Sequence, residues 1–175
     1  IALCQKDRRF LAALPFRGWR YRWLRLNYKM MQARPDASLR RVDRRDGLLM
    51  DVDNADVIDF TLYWFGVWEP VISLFLARHL RPGDSAVDFG ANIGAHTITM
   101  ARAVGPEGRV LAVEPGPEAY GRLTANLALN GLIQVECQPV AAGAEDGVVP
   151  LYRSQDFTRG RASIAAEAAA GGRVE

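Results

Sequence analysis

Residues 86–115 constrain the fold of this chain more than any other stretch. An apolar run, Val87-Asp88-Phe89, enters a glycine turn, Gly90-Ala91-Asn92-Ile93-Gly94. A helical stretch follows, and a second apolar run, Val110 to Val113, ends on Glu114 and Pro115. Strand, turn, helix and strand in that order make one βαβ unit, whose two strands lie parallel. The rhythm then repeats. It predicts strands over 85–89, 109–114 and 134–140 and helices over 93–104 and 117–130. It places turns at Gly105-Pro106-Glu107-Gly108 and at Asn130-Gly131. The expected fold class is α/β, a parallel sheet with flanking helices and right-handed crossovers.

The chemistry of the turn narrows the ligand. Gly90 and Gly94 sit where strand becomes helix; lacking Cβ, they admit positive φ and let a ligand approach the main chain. The helix N-terminus behind them offers unpaired N–H groups and a partial positive charge, which suits an anionic group. A dinucleotide turn reads G-x-G-x-x-G, but Ala91 follows Gly90 here, so that fingerprint is absent. What stands instead is Asp-x-Gly-x-Asn-x-Gly. Asp88, near the carboxyl end of its strand, would repel a phosphate and favour an ammonium; its plainer reading is a turn or capping acid. Glu114 ends the neighbouring strand, where a carboxylate can accept from both hydroxyls of a ribose; its plainer reading is a solvated strand-end acid. A ligand with an ammonium, a carboxylate, a ribose and a sulfonium fits this set better than a nicotinamide dinucleotide does. S-adenosyl-L-methionine is such a ligand.

The flanks are less specific. Residues 69–80 predict an apolar-faced helix with Pro70 in its first turn, stopped by Arg81-Pro82-Gly83-Asp84. Residues 38–62 read as strand-rich and turn-rich. A hairpin turn at Asp46-Gly47 lies between Leu39–Val42 and Leu48–Val52, and a second turn at Asn54–Asp56. Residues 148–153 predict one more strand, and 154–175 are weakly specified. Residues 5–32 predict two helices broken near Pro15 and Gly18, followed by a linker over 33–37. Charge divides the chain sharply: residues 1–45 carry 13 Lys/Arg against 3 Asp/Glu, the remainder 9 against 17. The expected organisation is a basic helical arm over 1–37 and an acidic ligand-binding domain over 38–175. The arm, with Trp19, Trp23, Arg17, Arg20, Arg22, Arg25 and Lys29, has three readings: a solvated helix packed by its tryptophans, peripheral contact with an anionic membrane or lipid-linked glycan, or nucleic-acid binding. Nucleic acid ranks last, because the body is acidic and no RNA-binding motif accompanies the arm.

No apolar run approaches the roughly 20 residues that span a bilayer, and no signal-peptide pattern is present. Cys4 and Cys137 lie far apart without metal-type spacing. These features lead us to expect a cytoplasmic protein with reduced thiols and no metal.

The segments VDFGANIGAHT and GRVLAVEPGPEAYGRLTANLALNGL resemble the FkbM-type family of class I S-adenosylmethionine-dependent methyltransferases. The upstream YWFGVWEP and the downstream VAAGAEDGVVPLYRS resemble the family's flanking segments, so the likeness covers about residues 46–165. The resemblance implies a Rossmann-like domain and, commonly, methylation of a hydroxyl on a sugar or natural product. Carried over residue by residue, it places Asp88, Gly90, Ala91 and Asn92 around the methionine end of the cofactor and Glu114 at the ribose. It places Pro115 and the Ala141-Ala142 strand end beside the adenine. Glu69 matches a family glutamate near the pocket, though an acid in a first helical turn is as plain a reading.

Two features qualify the resemblance. The family's later strand, ending in an Asp-x-Glu-Gly sequence, is not found here. The full fold has seven strands, and the sequence supplies about half of them, which leads us to expect a C-terminally incomplete domain. A half-sheet exposes a first-strand edge and so invites a homodimer. A hydroxyl acceptor also needs its proton removed. Of the two histidines, His79 falls at a helix end as a cap, and His96, in the turn after the glycine loop, is the candidate base; packing on the helix surface is the plainer reading. The reading from another class is a catalytically inactive binding module that works through its basic arm.

Overall fold

The computed structural model describes residues 40–44, 47–53, 56–145, 147, 148, 150–153, 162, 163, 173 and 174, together with Arg22, Arg25, Leu26 and Lys29. They fall into two compact units, one ending at Gly66 and the other starting at Val67. The four isolated residues are helical and exposed. The rest of the expected basic arm and its linker lie outside the described residues.

In the first unit, β1 (Arg40–Asp43) and β2 (Leu49–Val52) form an antiparallel pair, Arg40 opposite Val52 and Asp43 opposite Leu49. The second strand begins one residue later than the sequence suggests. The reason is Gly47, which takes the left-handed region at φ 81° and donates its N–H to Arg44 O at 3.1 Å, while Arg44 N donates to Leu48 O at 2.8 Å. That loop is longer than a two-residue turn. Val42, Met50 and Val52 are fully buried on one side of the hairpin. On the other, Arg41 and Asp51 sit opposite each other and make two hydrogen bonds, at 3.0 and 2.9 Å.

The strand-rich reading of residues 38–62 fails over 57–62. The run Val-Ile-Asp-Phe-Thr-Leu is rich in β-branched and apolar residues, which favours strand, yet it lies in helix α1 (Val57–Phe65). The ends decide the outcome. Asp56 caps the helix by accepting from Ile58 N at 2.7 Å, and Gly66, at φ 68°, closes it with an N–H to Leu62 O at 2.8 Å. Apart from Asp56, the second expected turn, over 54–56, lies outside the described residues. Phe60, Leu62, Tyr63 and Trp64 are buried, with Tyr63 edge-on to Trp64 at 5.0 Å.

The second unit holds the expected α/β alternation: α2 (Pro70–His79), β3 (Ser85–Phe89), α3 (Ala95–Val104), β4 (Arg109–Val113), α4 (Pro117–Leu129) and β5 (Val135–Gln138). The three strands are parallel in the order β3-β4-β5, with Ala86 beside Val110 and Val110 beside Val135. This is a Rossmann-like arrangement, as the rhythm of the sequence predicts. β5 stops at Gln138, before Pro139, because proline lacks the N–H that a ladder needs. Ala101, Val104 and Val110 form a buried cluster packed by Leu80, Ala86, Met100, Leu132 and Val135, which covers one face of the sheet. Farther along the chain, β6 (Tyr152–Arg153) pairs antiparallel with β7 (Ala162–Ser163) and β8 (Arg173–Val174). Of the strand expected over 148–153, Tyr152 and Arg153 are strand among the described residues.

The opposite face is open. Val87 is 46% exposed and Phe89 68%. A groove of about 1000 Å³ crosses this face, lined by Val87, Arg109, Leu111, Glu136 and Gln138 among others. The helix expected to bury an apolar face, α2, buries none of its residues among those described. Its Val71, Ile72, Leu74 and Phe75 are exposed. His79, read as a cap, meets Phe75 O through Nδ1 at 2.9 Å and stacks on the Phe75 ring at 4.0 Å. Among the described residues, no single helix is long and apolar enough to cross a membrane.

The turn from α3 into β4 leaves no room for a side chain at Gly108. A Cβ there would lie 2.5 Å from Val104 Cβ and 2.7 Å from Asp84 O. Gly108→Ala is therefore expected to destabilise the second unit by about 1–3 kcal/mol, measured as a lowered urea midpoint at unchanged slope.

Candidate functional site at the glycine turn

The turn between β3 and α3 is held from two sides. Gly90 N and Ala91 N both donate to Val113 O, at 2.9 and 3.0 Å, which ties the turn across the end of β4. Asn126, 1% exposed on α4, donates from Nδ2 to Ile93 O at 3.0 Å. Between these anchors the chain enters the left-handed region three times, at Gly90 (φ 78°), Asn92 (φ 50°) and Gly94 (φ 92°). Asn92 tolerates this because its short side chain bonds locally: Ile93 N donates to its Oδ1 at 2.7 Å. A Cβ on Gly94 would sit 2.9 Å from Leu123 Cδ1. These positive φ values keep residues 93–94 out of the helix, so α3 starts at Ala95 rather than at Ile93.

Three carboxylates are tied to residues 92–97, by a peptide N–H, a hydroxyl and an imidazole. Glu114, 5% exposed, accepts from Asn92 N through Oε2 at 2.8 Å and from Gly116 N through Oε1 at 2.8 Å. Asp88 accepts from Thr97 Oγ1 through Oδ2 at 2.6 Å, and Thr97 is fully buried. Glu69 pairs through Oε2 with His96 Nε2 at 3.0 Å. Among the described residues, none of the three meets a lysine or arginine. The site therefore gathers carboxylates that no lysine or arginine meets among the described residues, next to a helix N-terminus. It suits a ligand that presents a cation to the carboxylates and an anion to the helix end.

The predicted residues are placed as follows. Gly90, Ala91, Asn92 and Gly94 form the turn; Asp88, Glu114 and Glu69 are joined to it by the bonds above. Pro115 is half-buried beside Glu114. Ala142 is exposed, beyond the end of β5 at Gln138. His96 offers no free ring nitrogen to an acceptor substrate: Nε2 is taken by Glu69, and Nδ1 is buried without a partner. Thr97, Gly116 and Asn126 were not singled out in the sequence. Asn126 carries a readable signal, a polar residue one position before Leu127 on a helix face that buries Leu123 and Leu127. Thr97 carries none, since its partner Asp88 lies on another element, whereas the Gly116 N–H meets Glu114 only two residues back in the chain. None of residues 90–97 and 114 lines the groove on the open sheet face. Among the described residues, no group of three His, Cys, Asp or Glu could hold a metal ion. Burial, with the Glu136 charge next to it, raises the pKa of the Cys137 thiol above its ordinary value.

Two measurements check this geometry. Glu114→Ala removes a nearly buried acceptor of two backbone N–H groups and is expected to cost about 2–4 kcal/mol in urea unfolding, with Glu114→Gln costing less. The raised thiol pKa means that Cys137, in a Cys4→Ser background, should alkylate with iodoacetamide more slowly than free cysteine at pH 8, and that its rate should keep rising above pH 9.

Residues 88–170 match the family model described as methyltransferase FkbM domain, the family that the sequence resembles. Among curated proteins, the chain is similar to a 23S rRNA (uracil(1939)-C(5))-methyltransferase RlmD of Acinetobacter baumannii, 32% identical over 109 residues, which cover 57% of this chain and 24% of that protein. It is also similar to the methyltransferase sdnD of Sordaria araneosa, 39% identical over 66 residues, 37% of this chain and 25% of that one. The chain thus spans about a quarter of the length of these curated relatives. Among solved structures, it is similar to TYW2 of M. jannaschii in complex with AdoMet, with 26% identity and a TM-score of 0.46 over 57% of this chain and 42% of that one. A SAM-dependent O-methyltransferase of Thermotoga maritima shares 28% identity, with a TM-score of 0.41 over 60% and 41%.

Proposed function

We propose that this chain, through the methyltransferase FkbM domain matched over residues 88–170, binds S-adenosyl-L-methionine at the Gly90–Gly94 turn and belongs to an enzyme that transfers its methyl group. The observation that carries the reading is the set of three carboxylates around one turn, none of them met by a lysine or arginine among the described residues. Their donor chemistry fits the cofactor. Asp88 keeps Oδ1 for an ammonium, the N-terminus of α3 suits a carboxylate, and each Glu114 oxygen keeps a lone pair for a ribose hydroxyl. A pyrophosphate would meet the same charges unfavourably, which speaks against a nicotinamide dinucleotide. When bound, S-adenosylmethionine supplies a methyl group on a positively charged sulfur, open to displacement by a nucleophile.

The turn's part is orientation. Its backbone is fixed by Val113 O beneath, by Asn126 behind and by Glu114 at its centre. A ligand held there loses little further freedom in the protein, which is how an enzyme lowers the entropic part of a displacement barrier. Pro115 and Ala142, after β4 and β5, take the adenine side. The acceptor is proposed to be a hydroxyl of a sugar or natural product, on the strength of the FkbM match. The helical, exposed Arg22, Arg25 and Lys29 support peripheral contact of the arm with an anionic surface.

Calorimetric titration with S-adenosylhomocysteine tests the donor site. The expected result is micromolar binding that Glu114→Ala weakens at least tenfold; an unchanged affinity in that variant overturns the ribose assignment. Transfer of labelled methyl to glycan or natural-product hydroxyls, set against transfer to RNA, decides the acceptor class. Label appearing only in RNA would replace the hydroxyl reading.

A further inference from the structure

The Glu69–His96 pair has features that neither packing nor helix capping explains. Glu69 is a non-glycine residue in the left-handed region, at φ 41° and ψ 72°. It precedes Pro70, which favours extended backbone in its predecessor. As the N-cap of α2 it makes no side-chain capping bond; the first-turn bonds are made by Ser73, whose N donates to Glu69 O at 3.0 Å and whose Oγ donates to Trp68 O at 2.8 Å. The carboxylate reaches instead to His96 Nε2, at 3.0 Å. Strained backbone held against its own preference gathers at functional sites.

His96 is fixed in turn. Its Nδ1 is buried with no partner, so Glu69 is the one hydrogen-bond partner its ring has among the described residues. A buried Nδ1 without an acceptor fits the tautomer with the proton on Nε2, which makes the ring a neutral donor to Glu69. The next residue, Thr97, holds Asp88 in the same way, with a hydroxyl at 2.6 Å. Two consecutive residues of the first turn of α3 thus each hold one carboxylate by one oxygen. Glu69 Oε1 and Asp88 Oδ1 keep no partner among the described residues.

We infer that His96 is a positioning residue: it holds Glu69 so that its free oxygen, with that of Asp88, takes the ammonium of the ligand's amino-acid end. This rests on the cofactor reading above and sharpens it. His96 becomes a fixed donor to an acid, not a base for the acceptor. The pair acts on one end of the ligand only, so the adenosine half is insensitive to it.

That asymmetry is the test. Binding of S-adenosylhomocysteine and of 5′-methylthioadenosine, which lacks the ammonium and carboxylate, is measured by calorimetry for the chain and for His96→Phe, His96→Gln and Glu69→Gln. We expect His96→Phe and Glu69→Gln to weaken S-adenosylhomocysteine about tenfold, the scale of one charge-assisted hydrogen bond. Methylthioadenosine should stay within twofold in every variant. His96→Gln, which keeps an N–H donor, should recover most of the loss. Equal losses for both ligands, or no loss in Glu69→Gln, overturn the inference. Should the unmutated chain bind methylthioadenosine and S-adenosylhomocysteine equally well, the cofactor site stands and the ammonium arm falls. Should it bind neither, the cofactor reading itself fails. Glu69→Gln leaves the fold contacts of the exposed Glu69 nearly unchanged, so it decides the matter even where His96→Phe fails to fold.

Discussion

The two backbone hydrogen bonds accepted by Glu114 are the constraint on which the site depends. One comes from Asn92, inside the turn after β3; the other comes from Gly116, where α4 begins. A single buried carboxylate thus joins the two crossover connections of the parallel sheet at their carboxyl ends. A βαβ sheet of this kind takes its ligands at that end, and here Glu114 ties together the two connections that flank it. Gly116 serves the same end by size: a Cβ there would come within 2.9 Å of Glu114 Oε1.

A carboxylate near the surface of a protein is ordinarily met by a lysine or arginine, as Asp51 is by Arg41 in the hairpin. At the turn the partners are an imidazole, a hydroxyl and two peptide N–H groups. Such donors fix the positions of the acids without a lysine or arginine among the described residues. On the proposed reading, a ligand with its own cation gains from this arrangement and an anionic phosphate does not.

Much of this was legible in the sequence. The alternation of apolar runs and helical stretches fixed the parallel order of β3, β4 and β5 to within a residue or two at each end, since period and glycine placement are local signals. Helix α1 was missed, because its aromatic and β-branched run resembles a strand while the deciding signals are Asp56 and Gly66 at its ends. Asp88, Asn92 and Glu114 were readable from their places beside the glycines. The Thr97 hydroxyl on Asp88 and the Asn126 amide on Ile93 O were not, because each bridges elements that the fold alone brings together. His96 was readable only by its place after the glycine loop; its contact with Glu69, 27 residues earlier, was not.

The most direct measurement is a ¹⁵N–¹H NMR titration of the chain with S-adenosylhomocysteine. The account predicts that the amides of residues 90–97 and of Glu114 and Gly116 shift together and saturate with one affinity. Shifts confined to Val87, Leu111 and Glu136, on the open face of the sheet, would contradict it, and so would a spectrum that the ligand leaves unchanged.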